Sequence, residues 1–357
     1  MPGLMDMHVH LCWWGKERDL IRYELDTPPT LMALKAAKAA QQTLEAGFTT
    51  VRDTGAFNDC VISLKKGVEL GIVPGPRIMT AGLWITQTGG PCDTDWPLHL
   101  PTPIFQKGIA DGVDGVRKAV RERIRAGSDF IKIFATGDVY SKGPGPEVRR
   151  YTIEEIKAMV DEAHAVGKKV AAHAHGVEGI KNAIKGGVDT IEHGIYLDDQ
   201  ACEMMKKNNV ILVPTLTVLR NIVTEGLEAG MLPEAVRKGK EAAEAHLASL
   251  KRAHEAGVKI ATGSDALMGI CRHGENAREL ETMVKAGLTP MEAIVASTKT
   301  GAEALGLENQ IGTIEKGKLA DIIIVDGDPI EDIRILQDLK KIKMIMKSGE
   351  TAVNRGP

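Results

Sequence analysis

The repeated alternation of short apolar strands with amphipathic helices constrains the fold of this chain most. Helical patterns separate the strands, for example at 152–169, 177–187 and 198–209. Eight segments predict strands: 4–11, 48–55, 77–82, 130–136, 169–176, 190–194, 211–216 and 259–266. Most of these strands lack strict alternation of apolar and polar residues, which is typical of parallel strands buried on both faces.

Small-residue pairs precede several of the predicted strands and mark the ends of helices. They lie at 46–47, 126–127, 186–187 and 256–257, each pair with glycine in second place. Glycine suits this position because the residue after a helix is often left-handed. Eight strand–helix units of this kind predict an α/β fold, the (β/α)8 TIM barrel. A doubly wound open sheet is the alternative, but no glycine-rich phosphate loop follows an early strand.

The pattern changes after a predicted helix at 290–307. Segments 311–329 and 341–353 predict strands joined by turns. We therefore expect a barrel domain over 1–310 and a small, incomplete β-sandwich over 311–357.

Charge and cysteine content exclude several classes of partner. The net charge is -3 and no basic block occurs, so neither nucleic-acid nor membrane binding is expected. No apolar run approaches the length of a membrane span. The five cysteines are an odd number without paired spacing, which is typical of a reduced, cytoplasmic protein. A small-molecule substrate is the partner expected.

Polar residues with metal-binding chemistry lie near the carboxyl ends of the predicted strands. His8 and His10 are two apart, so both side chains point to one face of the first strand. In a barrel that face is the interior, next to the active site. His173, His193 and Asp265 lie near the ends of the fifth, sixth and eighth strands. A metal is the simplest reason for this set.

Lys132 belongs to the fourth predicted strand and lies between Ile131 and Ile133. A buried lysine needs a negative partner or must lose its charge. Two interpretations stay open at this point. The lysine either pairs with an acid such as Asp265, or carbon dioxide carboxylates its amine and the product bridges two metal ions.

The sequence motifs of this chain resemble those of the amidohydrolase superfamily. The resemblance is strongest to its prolidase-like and imidazolonepropionase-like members, several of which are metal-dependent dipeptidases, and it covers essentially the whole chain. It rests on "PGLMDMHVHL", "TTVRDTG", "IKIFATG", "AHAHG", "TIEHG", "TGSDA" and "GTIEKGKLADIIIVDGDP". The resemblance implies that one metal is held by His8, His10 and Asp265. A second would be held by His173 and His193, with carboxylated Lys132 as the bridge.

The resemblance also implies a reaction. Two divalent ions, most simply zinc with manganese, cobalt or iron as alternatives, would share a hydroxide that attacks an amide or peptide carbonyl. Asp265 would carry the proton to the leaving nitrogen. The substrate would be a dipeptide, an N-acyl amino acid or a related small molecule. The alternatives are a mononuclear cyclic-amide hydrolase or deaminase, a carbamate hydrolase, and a scaffold without activity.

Substrate contacts are harder to predict, because the sequence departs from the dipeptidase-like pattern. Those relatives typically carry a histidine where this chain has Pro91 in "GGPCD", and often a tyrosine where it has Thr217. Arg220, Arg272 or His175 could replace those contacts. His273, at the start of a helix near the predicted barrel mouth, is a further candidate substrate contact, so the predicted substrate-binding residues are His175, Arg220 and His273. All four tryptophans fall in the long segments after the first and third strands, which suggests an aromatic pocket.

The amino end is the second departure. Members of the superfamily usually carry a further segment before "PGLMDMHVH" that completes the sandwich. The C-terminal strands alone should leave sheet edges exposed. We therefore expect either a homo-oligomer that covers them or a natural start upstream of Met1.

Overall fold

Seven parallel strands and one closing segment form the wall of a barrel. The computed structural model describes residues 1–14, 23, 25–56, 58–93, 108–141, 143, 145–267 and 269–356. The barrel strands are β1 (Leu4–Val9), β2 (Phe48–Asp53), β3 (Arg77–Thr80), β4 (Ile131–Phe134), β5 (Val170–Ala174), β6 (Thr190–His193) and β7 (Ile211–Val213). Almost all of their residues are buried, as expected for parallel strands with helices outside and packed side chains inside.

The barrel closes through single bridges. Strands β1 to β3 pair in order, as do β4 to β7, and a parallel bridge between Ile85 and Ile133 joins the two sets. The eighth predicted strand is not continuous. It touches β7 at Ile260 and β1 at Ala266, both in parallel. Asp265 breaks the ladder between these bridges, because its φ of 54° is left-handed. The predicted TIM barrel is thereby confirmed.

Helices of the described residues connect the strands on the outside. Their bounds are Pro29–Glu45, Cys60–Glu69, Gly112–Ala126, Ile153–His164, Val177–Gly186, Asp199–Lys207, Leu216–Glu225, Pro233–Glu255, Arg278–Lys285, Pro290–Ala296 and Lys299–Leu305. Thr152 and Glu155 form a reciprocal capping box at the start of one helix. The glycines predicted to end helices have positive φ at all four positions: 47, 127, 187 and 257.

One helix prediction was wrong. The helix expected over 290–307 is interrupted, because Ser297 exchanges backbone and hydroxyl hydrogen bonds with Met5 and so fastens the chain to β1. The segment after β7 forms the helices Leu216–Glu225 and Pro233–Glu255. Apolar residues at a helical spacing, among them Leu216, Leu219 and Ile222, bury one face of the first of these helices.

A second, antiparallel sheet packs on the barrel. It consists of β8 (Ile322–Val325), β9 (Ile342–Lys347) and β10 (Glu350–Asn354), in the order β10-β9-β8. The amino end extends this sheet, since Pro2 bridges to Ile322. Ile323 is fully buried and belongs to the same hydrophobic core as the barrel wall. The domain boundary between 310 and 311 stays a prediction.

Candidate metal centre

The first half of the centre lies where β1 meets the closing segment. His8 and His10 are both buried, with exposed fractions of 1% and 9%. The Nε2 atom of His10 lies 3.3 Å from Oδ1 of Asp265, and the Nε2 atom of His8 lies 3.7 Å from the same oxygen. The structure therefore brings these three residues together as the sequence predicts.

The second half lies at the ends of β5 and β6. His173, His175 and His193 each offer a ligand atom, and these atoms lie within 4.8 Å of one another. His193 also forms such a group with His8 and Asp265. The two halves are therefore contiguous and meet at His193, whose ring centroid lies 4.8 Å from that of His8.

Two residues of the centre have strained backbone conformations. The φ angles of His193 and Asp265 are 71° and 54°, in the left-handed region that residues with a side chain rarely adopt. Such a conformation costs about 1–3 kcal/mol and persists where the surroundings fix it, often at functional sites. Both residues stand where a strand ends, so the strain coincides with the predicted ligands.

Hydrogen bonds assign the protons of several imidazole rings. His10 donates through Nδ1 to the carbonyl of Gly55 at 2.8 Å, and His173 donates through Nε2 to the carbonyl of Gly137 at 3.1 Å. A carbonyl only accepts, so in each neutral ring the other nitrogen keeps its lone pair. The Nδ1 atom of His193 bonds the hydroxyl of Thr215 at 2.6 Å. Each ring therefore has one nitrogen committed to the protein and one left for a metal.

The rings of His8, His173 and His193 are neutral near pH 7. Burial, with the nearby charge of Lys132 acting in the same direction, lowers the pKa of His8 to about 4. Burial also lowers the pKa values of His173 and His193 well below the ordinary range. Although burial opposes ionisation of Asp265, the histidines beside it lower the pKa of this carboxyl. Neutral imidazole and ionised carboxylate are the forms that bind metal.

Lys132 is buried with an unsatisfied amine. Only 3% of its surface is exposed, and Nζ has no hydrogen-bond partner in the described part of the chain. Burial lowers the pKa of Lys132 to about 8. None of the described carboxylates comes within 4.0 Å of Nζ, so the predicted pairing with Asp265 is not formed. A buried amine without a partner is costly, which favours a role in the centre.

An aromatic wall runs along one side of the centre, formed by Trp13, Trp84 and Phe134. The ring of Trp13 lies 4.6 Å from that of His10, and the ring of Phe134 lies 4.7 Å from that of His173. Trp84 lies between the other two, at 5.8 and 6.1 Å. This wall matches the predicted aromatic pocket in part; Trp96 and most of the long segments after the first and third strands lie outside the described residues.

The three predicted substrate contacts are placed differently. His175 lies in the centre, and its Nδ1 has no hydrogen-bond partner among the residues that the structure describes. His273 does not start a helix, since that helix begins at Arg278; its buried ring instead contacts the carbonyl of His10 through Nε2 at 3.1 Å. Arg220 is exposed on the helix after β7, where its charge acts on Glu281, and the structure does not bring it to the centre.

Sequence reasoning missed two charged residues beneath the histidines. Glu192 accepts a hydrogen bond from Nδ1 of His8 at 2.8 Å and forms an ion pair with Arg52 at 2.6 Å. Burial alone would raise the pKa of Glu192. The charge of Arg52 and the hydrogen bond from His8 nevertheless hold this pKa below its ordinary value. The available signal was a charged residue in each of two buried strands, at "TTVRDTG" and "TIEHG".

The family model described as "Amidohydrolase family" matches residues 1–352. The chain belongs to the amidohydrolase family. Members are generally metal-dependent, and this chain is an enzyme that hydrolyses C–N bonds.

Individual relatives are similar over nearly the whole chain. Ochratoxinase of Aspergillus niger is 32% identical over 369 residues, which cover 98% of this chain and 75% of that protein. A crystal structure of a Xaa-Pro dipeptidase with methionine in its active site has a TM-score of 0.91 at 38% identity, covering 98% and 86% of the two chains. A prolidase complexed with N-methylphosphonate-L-proline has a TM-score of 0.91 at 35% identity, covering 100% and 87%.

Among the described residues, no helix is both long and apolar enough to cross a membrane.

Proposed function

We propose that this chain is a binuclear metal-dependent amidohydrolase that cleaves an amide bond in a small molecule. The first ion would be held by His8, His10 and Asp265. The second would be held by His173 and His193, and carboxylated Lys132 would bridge the two. The observation that carries the proposal is the buried amine of Lys132, which has no hydrogen-bond partner among the described residues and whose charge acts on imidazoles from both halves of the centre.

The donor set fits divalent ions. It consists of imidazole nitrogens and a carboxylate without thiolate, a combination that suits zinc, with manganese, cobalt or iron as alternatives. When bound, such ions polarise a carbonyl and make water a strong nucleophile near neutral pH.

Carboxylation of Lys132 is chemically accessible in this setting. The neutral amine is the form that adds to carbon dioxide, forming an N–C bond and releasing one proton. Because burial lowers the pKa of Lys132 to about 8, more of this amine is neutral at pH 7 than in an ordinary lysine. The product is an anion with two oxygens, which would satisfy the buried position.

Asp265 is the proposed proton carrier of the reaction. Its carboxylate lies next to two proposed ligand imidazoles, and its lowered pKa keeps it ionised near neutral pH, which is the form that can accept a proton. The reaction requires a proton on the leaving nitrogen, and a carboxylate at the centre of the site can transfer it. The aromatic wall excludes water from one side, which strengthens these electrostatic interactions.

The proposed substrate is a dipeptide or an N-acyl amino acid. The Xaa-Pro dipeptidase is named for such a substrate and the prolidase was crystallised with an N-substituted proline, which supports this class. We propose His175 as a substrate contact, because the free Nδ1 lies among the ligand rings. His273 supports His10 in the described structure, so His175 is the one of the three predicted contacts that the proposal keeps.

A panel of matched substrates tests the function. Each dipeptide or N-acyl amino acid is paired with the same compound carrying a C-terminal amide, and both are assayed with the zinc-loaded enzyme. We expect hydrolysis of the free acids, loss of activity after chelation, and recovery when zinc is restored. Absence of chelator-sensitive turnover across the whole panel would contradict the proposal.

A further inference from the structure

Arg52 and Glu192 form an ion pair inside the barrel. Their exposed fractions are 2% and 0%, and Nη2 of Arg52 lies 2.6 Å from Oε1 of Glu192. A buried pair of this kind seldom stabilises a fold more than apolar residues of the same shape would, because both charges lose their water. Its position directly beneath the histidines indicates a role other than stability.

The two oxygens of the Glu192 carboxylate have different partners. Oε1 accepts hydrogen bonds from Arg52 and from the hydroxyl of Thr190, whereas Oε2 accepts one from Nδ1 of His8 at 2.8 Å. Arg52 is itself fixed, since its Nε donates to the carbonyl of Met7 at 2.7 Å. The guanidinium therefore connects the backbone of β1 to a carboxylate on β6, and this carboxylate holds a ring on β1.

We propose that Glu192, held by Arg52, is a positioning residue that fixes the ring of His8 with its proton on Nδ1 and its lone pair on Nε2. This inference rests on the proposed function, in which Nε2 of His8 binds the first ion. A carboxylate acceptor both orients a ligand imidazole and increases its basicity.

The arrangement is specific to His8 among the proposed ligands. His10 and His173 are held by backbone carbonyls, and His193 by a hydroxyl. Loss of Glu192 should therefore weaken the ion at His8 and His10 more than the ion at His173 and His193. A residue needed only for folding would not discriminate between the two ions.

Three variants separate positioning from stability. Glu192→Leu removes the acceptor and leaves Arg52 unpaired. The double variant Arg52→Met/Glu192→Leu removes both charges together. Arg77→Met breaks an ion pair with Asp321 at 2.5 Å that joins the first residue of β3 to the residue before β8, so it serves as the control for loss of an ion pair that contacts none of the proposed ligands. Each protein is loaded with cobalt, and the affinities of the two ions are measured by chelator competition alongside the melting temperature.

We expect Glu192→Leu to weaken one of the two ions about 10–100-fold and to lower the melting temperature. The double variant should recover melting temperature while its affinity for that ion stays low. Arg77→Met should keep both affinities. Recovery of metal affinity together with melting temperature in the double variant would overturn the inference, as would unchanged affinity in Glu192→Leu. If Glu192→Leu does not fold, the double variant alone decides.

A spectroscopic signature tests the proton position directly. In the cobalt-loaded enzyme, the ligand N–H proton of His8 should be shifted and protected from exchange by its bond to Glu192. We expect this one resonance to broaden by exchange in the double variant while those of His10 and His173 persist. A wild-type protein that binds no cobalt would instead contradict the proposed function, so the two failures are distinguishable.

Discussion

At the scale of single residues, each of the proposed ligand imidazoles is fixed through one ring nitrogen. The carbonyls of Gly55 and Gly137 accept hydrogen bonds from His10 and His173, and the hydroxyl of Thr215 bonds Nδ1 of His193. Lys132 is the exception, because its amine finds no hydrogen-bond partner in the described structure.

Replacement of Lys132 tests its proposed role as a bridge. Lys132→Ala should lower kcat/KM about 100-fold or more, since the bridging anion is lost with the amine. Acetate or propionate should restore part of the activity by supplying a carboxylate in the vacated space. The wild-type enzyme with the same acids is the control, and a variant that stays active without them would contradict the bridge.

The pH dependence of metal binding follows from the pKa of His8. Burial lowers this pKa to about 4, so the proton does not compete with metal at Nε2 until the pH falls towards that value. An ordinary imidazole of pKa about 6.5 would lose about fivefold in metal affinity between pH 6.5 and 5.5, because its neutral fraction falls by that factor. We expect wild type and His8→Gln to show the same pH dependence of zinc affinity above pH 5.5, measured by competition. A dependence about fivefold weaker in the variant would contradict the lowered pKa.

The residues that the structure brings together in the candidate centre could be predicted from sequence, whereas the residues that hold His8 in place could not. The two-residue repeat of a strand puts His8 and His10 on one face, and barrel topology brings the ends of distant strands together. The hydrogen bond from His8 to Glu192 joins β1 to β6 across the barrel interior, so no local sequence pattern predicts it. Arg220 was predicted to contact the substrate, but it lies on the exposed face of its helix. The sequence did not show which face of that helix would point towards the centre.

At the scale of elements, the turn after β2 carries part of the site. The carbonyl of Gly55 holds His10, and a Cβ atom at Gly55 would lie 2.3 Å from the ring of Trp84. Gly55→Ala should therefore displace the turn or the tryptophan and lower metal affinity at least about tenfold. Chelator competition measures this effect, and unchanged affinity would show that the turn does not position His10.

A matched glycine variant controls for the change of residue type. Gly115 lies in the helix Gly112–Ala126, and a Cβ atom there would meet nothing within 4 Å. Gly115→Ala should leave metal affinity unchanged and raise the free energy of unfolding by about 0.5–1 kcal/mol, because alanine loses less entropy on folding. Denaturant unfolding measures it.

Element boundaries were predictable where local chemistry determines them. The glycines at helix ends have the left-handed conformation that the sequence predicts. The helix over 290–307 failed because a tertiary contact, Ser297 with Met5, interrupts it. The closing segment does not form the continuous strand predicted over 259–266, because the left-handed backbone of Asp265 interrupts its hydrogen-bond ladder.

At the scale of the whole molecule, the small sheet and the barrel share one core. Ile323 on β8 is fully buried in it. Ile323→Ala should cost about 2–4 kcal/mol of unfolding free energy. The described tryptophans, Trp13, Trp14 and Trp84, lie on the barrel, whereas the substitution is in the sheet. Tryptophan fluorescence and far-ultraviolet circular dichroism should therefore report one shared transition at lower denaturant. Two separate transitions would support independent domains at the predicted boundary instead. The homo-oligomer expected to cover the sheet edges stays a prediction.

Metal analysis tests the central claim of a binuclear centre most directly. The protein is loaded with zinc in bicarbonate buffer, freed of excess metal by gel filtration, and analysed for zinc and protein. The account predicts about two ions per chain, and about one in His173→Ala, where the second position is lost. One ion per chain in a fully active wild-type enzyme would contradict it.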